Sequence, residues 1–233
     1  MKKTAIFTEG LTEQLFSEAV IRHLAAQHQF SIQFAYQHAG KLLYEGNEPN
    51  MAATHFFLVV DCRNDAQVKT QIVDNYAALV KAGYSSIIGL RDVYPLTQAD
   101  VPRIESALNF GIPAGAVPVS IHLAVMEVEA WFLAEVSHFP RISNALSVDA
   151  IVKNGMDIRS VPPQQWHPAS QTLDEIYKIA GLRYLYNDGR KTRSRISRTV
   201  KALSIDALLE NTVLANVPEL SRFIESIKIA IKQ

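Results

Sequence analysis

The sequence holds a single cysteine, Cys62, among 233 residues. An internal disulfide is excluded, and so is a cysteine-rich zinc site. Charge of neither sign is in excess, with 23 Lys and Arg against 23 Asp and Glu. No global field therefore draws the chain to nucleic acid or to a membrane, and any such contact has to come from a local patch. The N-terminal lysines are followed by no long apolar run, so neither a signal peptide nor a membrane span is expected, and the expected compartment is the cytoplasm. A Gly-x-Ser-x-Gly elbow is missing, which argues against a serine hydrolase. A phosphate-binding Gly-x-x-x-x-Gly-Lys-Ser/Thr loop is missing too, so any ATP-driven step belongs to a partner.

What is present starts at the N-terminus. Lys3-Thr4-Ala5-Ile6-Phe7-Thr8 is a short apolar strand; Glu9 ends it, Gly10 turns the chain, and Glu13 opens a helix. Leu15, Phe16, Ala19, Val20 and Leu24 fall on one helical stripe, with Thr12 as the expected N-cap. In open α/β sheets the carboxyl edge of the strands is where ligands bind. Two carboxylates there repel unless a proton or a cation lies between them. The plainer alternative makes Glu13 a complement to the helix dipole and Glu9 a solvated turn residue.

Phe30–Tyr36 alternates as a half-exposed strand, and 37–54, with His38 and Lys41, reads mostly as loop. His55-Phe56-Phe57-Leu58-Val59-Val60-Asp61 is a continuous apolar run, as in a parallel strand buried on both faces. A helix over 67–82 leads to Ser85–Asp92, which repeats the pattern of apolar strand and terminal carboxylate. The βαβ unit so formed is expected to be right-handed and parallel. Glu9, Asp61 and Asp92 thus end three strands at one edge. A helix over 101–109 and a strand over 117–123 follow.

Residues 124–135 read as a helix with Glu127 and Trp131 on one face and Glu129 pointing elsewhere. Glutamates in so apolar a stretch are costly to bury unless paired, hydrogen-bonded or metal-bound; Glu135 is expected on the wet face, Glu127 is not. From Ser137 the chain is broken by prolines, including His167-Pro168, and carries helices over 173–180 and 218–231. Between them lies a run without an acidic residue, with Arg190, Lys191, Arg193, Arg195, Arg198 and Lys201 as its cations. On a helix Lys191, Arg195 and Arg198 share one face, and Ile196, Val200 and Leu203 another. A cationic face beside a packed face suits phosphate contacts, an acidic partner or plain solvation.

Phe7-Thr8-Glu9-Gly10-Leu11-Thr12-Glu13 resembles the first motif of Toprim domains, in the form found in nucleases of the OLD (overcoming lysogenization defect) type. Met126-Glu127-Val128-Glu129-Ala130-Trp131-Phe132-Leu133-Ala134 is similar to the Glu-x-Glu-x-Trp-x-Leu-Ala signature of a Toprim-like family often encoded beside AAA- or ABC-type ATPases. The resemblance spans roughly the first 135 residues. It implies an α/β, Rossmann-like, mainly parallel sheet flanked by helices over 1–136; the residues from 137 to 233 read, by their own pattern, as a helical extension packed on it. It also implies magnesium- or manganese-dependent cleavage of phosphodiesters by a nuclease subunit, working with an ATPase partner in phage or mobile-element defence. Glu9 matches the first acidic residue of the motif and Glu13 the second. The usual Asp-x-Asp is incomplete: Asp61-Cys62-Arg63-Asn64-Asp65 follows one strand and Arg91-Asp92 ends another. The expected catalytic residues are Glu9, Asp61, Asp92 and Glu127, and the expected metal ligands Glu9, Glu13, Asp61 and Asp92. The six cations of the basic run are assigned to nucleic acid, DNA before RNA, and a homo-oligomer is compatible with the sequence. The alternative is a non-catalytic Toprim-like module that docks on an ATPase.

Overall fold

A computed structural model describes residues 1–39, 41–63, 67–166 and 168–232. Asn64, Asp65 and His167 lie outside the described residues. Six strands form one sheet: β1 (Lys2–Thr8), β2 (Phe30–His38), β3 (Lys41–Glu48), β4 (His55–Asp61), β5 (Ser86–Asp92) and β6 (Val119–Ala124), in the order β3-β2-β4-β1-β5-β6. The strands β2, β4, β1 and β5 are parallel neighbours, and β3 is antiparallel to β2. The hydrogen bonds Ile87 N–H to Pro118 O and Val93 N–H to Ala124 O advance together, which is the parallel sense for β5 and β6. The helices are α1 (Leu11–Leu24), α2 (Gln67–Lys81), α3 (Val101–Asn109), α4 (Glu129–Ala134), α5 (His138–Ile142), α6 (Val148–Lys153), α7 (Ala169–Lys178), α8 (Arg193–Ala202), α9 (Ile205–Leu208), α10 (Asn211–Asn216) and α11 (Pro218–Lys232). The architecture is α/β, with a mixed, mainly parallel sheet flanked by helices and with helices at the C-terminal end.

The chain forms two compact units. The first takes in 1–92, 100–123 and 222–233, and the second 93–99 and 124–221. In the first unit the runs Ala5–Thr8, Phe57–Val60 and Ile87–Leu90 are buried on both faces, as parallel strands covered by helices require. On one face Ala5, Phe7, Leu58, Val60 and Ile87 pack with Val68, Ile72 and Leu79 of α2. The last turns of α11 belong to this unit because they are tied to it: Ile231 O receives the ring Nε2 of His55 at 2.9 Å, and Ser226 Oγ pairs with His122 Nε2 at 2.9 Å.

Gly89 in β5 lies directly against α2. A Cβ there would lie 3.0 Å from Ile72 Cδ1 and 3.1 Å from both Val68 Cγ1 and Ile121 Cγ2. Gly89→Ala should overpack this contact and cost about 1–3 kcal/mol, read as a lower urea midpoint; an unshifted midpoint would show that α2 gives way freely.

Several local expectations are corrected. The stretch 37–54 is not mostly loop: β2 runs on to His38, and β3 pairs with it from Ile32↔Glu48 to His38↔Lys41, with a bulge at Gln33/Phe34. An edge strand with little to bury carries no hydrophobic pattern, so its pairing partner decides it. The cap of α1 is Gly10, not Thr12, which lies inside the first turn. Residues 124–128 are not helical. Ala124 O and Met126 O accept the N–H groups of Val93 and Tyr94, and Met126 adopts φ 71°. A β-like backbone engagement followed by a left-handed residue leaves room only for the short α4.

The second unit contains helices and no strand beyond Ala124 among the described residues. Trp131, Phe132, Phe139, Leu173, Tyr177 and Tyr184 are fully buried there. His138 is buried as well. Its Nδ1 sits 2.6 Å from Glu135 O, its ring centre lies 3.9 Å from that of Phe139, and Nε2 has no hydrogen-bond partner among the described residues. Burial holds its pKa down at about 4, against 6.5 for an exposed imidazole. The depressed value means that the unfolded chain binds the proton first. Stability from neutral His138 is present above pH ~6.5 and is lost as pH falls towards ~4, by about 3 kcal/mol in all. His138→Phe should flatten the stability profile of this unit across that window in pH-dependent denaturant melts; an unchanged slope would place the acid sensitivity elsewhere.

Candidate metal centre and the basic segment

The carboxyl edge of the first unit is built by register. Thr8 lies opposite Asp61 on β4 and opposite Leu90 on β5, so the residues ending three adjacent parallel strands emerge side by side. The backbone N–H of Glu9 donates to Leu90 O at 3.1 Å, and the N–H of Asp92 donates to Glu9 Oε2 at 3.0 Å. Glu9 is therefore oriented by the strand that carries Asp92. One turn into α1, Glu13 reaches back, and its Oε2 accepts the Gly10 N–H at 2.9 Å. A Cβ on Gly10 would lie 3.3 Å from that oxygen, so a side chain here would press on the Glu13 carboxylate.

Glu13 and Asp92 are 4% and 7% exposed and offer carboxylate oxygens within 4.8 Å of one another. Two anions so close and so buried require a proton or a cation between them. The donors are hard oxygens, the set that Mg²⁺ or Mn²⁺ takes. The residues present thus fit a divalent ion.

Asp61 stands at the same edge, but its Oδ1 accepts the N–H of Arg63 at 2.8 Å. Arg63 has φ 56°, and its guanidinium lies 3.6 Å from the ring centre of Tyr36, the residue opposite Asp61 on β2. Burial, with help from the Asp61 and Glu9 carboxylates, pushes the Cys62 thiol far up, so it is no nucleophile at neutral pH. Arg91, beside Asp92, is partly buried, and its Nε has no hydrogen-bond partner among the described residues.

Glu127, Glu129 and Glu135 are buried rather than on a wet face. Glu127 precedes α4, and both its oxygens bind Ser170 at the start of α7: Oε2 accepts the N–H at 2.8 Å and Oε1 accepts the hydroxyl at 2.9 Å. Both oxygens thus meet donors at the start of α7, where the helix N-terminus favours the anion. Desolvation, then the neighbouring Glu129 charge, raises its pKa above the usual carboxylate range. Glu129 is 0% exposed; its Oε1 accepts from Tyr184 OH at 2.6 Å and from Lys191 Nζ at 2.6 Å, while Oε2 has no hydrogen-bond partner among the described residues. Glu135, expected in water, is 2% exposed, paired with Arg141 at 2.6 Å and bound by the Ser204 N–H at 3.1 Å. Glu13 and Asp92 of the first unit therefore have the chemistry to hold a metal ion.

The basic run is largely occupied inside its own unit. Lys191 neutralises Glu129, Arg190 pairs with Asp188 at 2.6 Å, Arg195 donates to Leu185 O, and Arg198 donates to Arg183 O at 2.6 Å. Arg193 and Lys201 are exposed. Ile196, Val200 and Leu203 are buried, as their helical spacing requires. Sequence reasoning missed Arg183, Tyr184 and Ser170. Each is an ordinary residue in a loop or helix start, and only the fold brings it to a charged partner.

No protein-family model matches the sequence, and no curated protein is similar to it. Among solved structures, the chain is similar to that of "the putative cell surface hydrolase from Lactobacillus plantarum WCFS1", at 12% identity and a TM-score of 0.31. The match covers 61% of this chain and 61% of that one, so the chain spans about three-fifths of the length of its structural neighbour. A likeness that weak says nothing about activity. No helix among the described residues is long and apolar enough to cross a membrane.

Proposed function

We propose that the chain is a metal-dependent phosphodiesterase of the Toprim nuclease type, with Glu13 and Asp92 as ligands of Mg²⁺ or Mn²⁺ and Glu9 beside them. The observation that carries this reading is the buried approach of Glu13 and Asp92 at the carboxyl edge of parallel strands, where α/β sheets bind ligands. A bound divalent ion supplies a Lewis acid for the phosphoryl oxygen and lowers the pKa of a water. Glu9, oriented through the Asp92 N–H, takes the proton from the attacking water. Gly10 keeps the approach to Glu13 clear. Asp61 shapes the neighbouring turn through Arg63 and serves as a positioning residue rather than a ligand.

An ATPase partner, and a role in defence against phage or mobile elements, belong to this reading through the family resemblance. One observation favours the non-catalytic module instead: Lys191, Arg195 and Arg198 are engaged within their own unit. The deciding assay incubates the protein with single- and double-stranded DNA and RNA, in EDTA and in Mn²⁺, with and without a neighbouring ATPase. Cleavage that appears with Mn²⁺ and disappears in EDTA supports the nuclease. Absence of cleavage from every substrate, by protein that still binds the ATPase, replaces it with the docking module.

A further inference from the structure

A cavity of ≈ 260 Å³ in the second unit is lined by Arg183, Leu185, Tyr186, Asn187, Asp188 and Arg195. Two of its walls are guanidinium groups held in place from behind. Arg183 Nε lies 3.1 and 3.0 Å from the two oxygens of Asp174, and its Nη1 donates to Asn187 Oδ1 at 3.2 Å. Arg195 donates one N–H to Leu185 O and lies flat on Tyr186, 3.8 Å from the ring centre. A guanidinium carries five N–H donors in a fixed fork, so each group keeps donors beyond those its anchor takes.

The loop that bears these walls is itself fixed. Asp174 Oδ1 accepts the N–H groups of Tyr184 and Leu185 at 2.7 and 2.8 Å. Tyr186 N–H donates to Arg190 O, and Gly189 N–H returns to Tyr186 O, both at 2.9 Å; Gly189 needs its φ of 79° to close the turn. Against the two arginines the cavity wall sets one carboxylate, Asp188, and Arg190 neutralises it at 2.6 Å. Tyr186 is 45% exposed although its ring is stacked on Arg195. An aromatic ring pinned on a guanidinium, yet open to solvent, is a platform for a second planar group.

We propose that this cavity binds a phosphomonoester that carries a nucleobase. The phosphate lies between Arg183 and Arg195, and the base stacks on the open side of Tyr186. A cavity of ≈ 260 Å³ takes a phosphate and its sugar and leaves the base at the mouth. The ligand is a free nucleoside monophosphate or the 5′-phosphate end of a strand, two sources of one chemistry. The site goes beyond the proposed phosphodiesterase and requires no metal.

The test is isothermal titration in EDTA with AMP, adenosine, ribose 5-phosphate, inorganic phosphate, and an oligothymidylate with and without a 5′-phosphate. AMP should bind about tenfold or more tightly than adenosine, ribose 5-phosphate or phosphate, because stacking and the charge clamp act together. Tyr186→Leu, on an exposed residue that the fold does not need, and Arg195→Lys, which keeps the charge but not the fork, should each weaken AMP by about tenfold. A phosphorylated oligonucleotide that matches AMP identifies the strand end as the ligand, and one that binds more weakly identifies the free nucleotide. AMP binding no tighter than that of its fragments, or indifferent to both variants, overturns the site. Mn²⁺-dependent cleavage that persists without AMP binding removes this inference alone, whereas AMP binding by a protein that never cleaves leaves it standing.

Discussion

Lys191→Met should destabilise the second unit by about 3–5 kcal/mol, because removing one partner of a buried pair leaves an uncompensated charge. Glu129 is fully buried, and Lys191 and Tyr184 share its one bonded oxygen. With the ammonium gone, Glu129 keeps the Tyr184 OH donor but no longer a cation beside it, and Glu127 loses the same nearby charge. The double variant Lys191→Met/Glu129→Gln should recover most of the loss, since no charge then remains to be stranded. The non-additivity, measured by urea unfolding of both single variants and the double, is the signature of a coupled pair. In the native protein burial, and then the Glu129 charge, raise the folded pKa of Glu127, so the stability it contributes is present below its unfolded value and falls as pH rises through the folded one. Additive variants would show that the contact at 2.6 Å contributes nothing.

Asp92→Asn should separate a metal site from a structural carboxylate. Glu13 and Asp92 are buried and within 4.8 Å of each other, so without a cation their repulsion opposes folding. Melted in EDTA, the variant should be as stable as the native chain or more stable. Melted in Mn²⁺, the native chain should gain about 2.7 kcal/mol at a hundredfold excess over the dissociation constant, and the variant should lose most of that gain together with any cleavage. A structural role reverses the order: the variant would lose about 1–3 kcal/mol in EDTA as a buried charged hydrogen bond is disrupted, and Mn²⁺ would move neither protein. That outcome ends the nuclease reading.

Much of the first unit is legible in the sequence, because parallel strands buried on both faces print themselves as unbroken apolar runs. Val59 and Ile88 announce their strands, and Glu9, Asp61 and Asp92 mark where each ends. Strand β3 is not legible, since an edge strand borrows its conformation from Gln33 to His38 rather than from its own pattern. The region around Glu127 and Glu129 misleads for a related reason. Residues 124–128 have good helical composition, but the backbone of Val93 and Tyr94 claims Ala124 and Met126 first. Side-chain tasks are the least legible of all. Nothing in the spacing of Asp61 says that its carboxylate turns to Arg63, or in that of Glu127 that Ser170 takes both its oxygens. The basic run shows the same gap, because the anions and carbonyls that absorb Lys191, Arg195 and Arg198 come from loops without a motif.

The attachment of α11 to the first unit governs the order in which the chain completes itself. Lys2 Nζ reaches Lys232 O at 3.2 Å across 230 positions, and His55 reaches Ile231 O. Residues 124–221 are continuous, apart from the short 93–99 segment that joins them. On the ribosome, where domains fold as their sequence emerges, the residues of the helical unit, through the first turn of α11, emerge before the later turns of α11 that complete the sheet unit. The sheet begins first and finishes last. Through that interval its α11-facing surface has no cover, and this is the stage at which a nascent chain would depend on a chaperone.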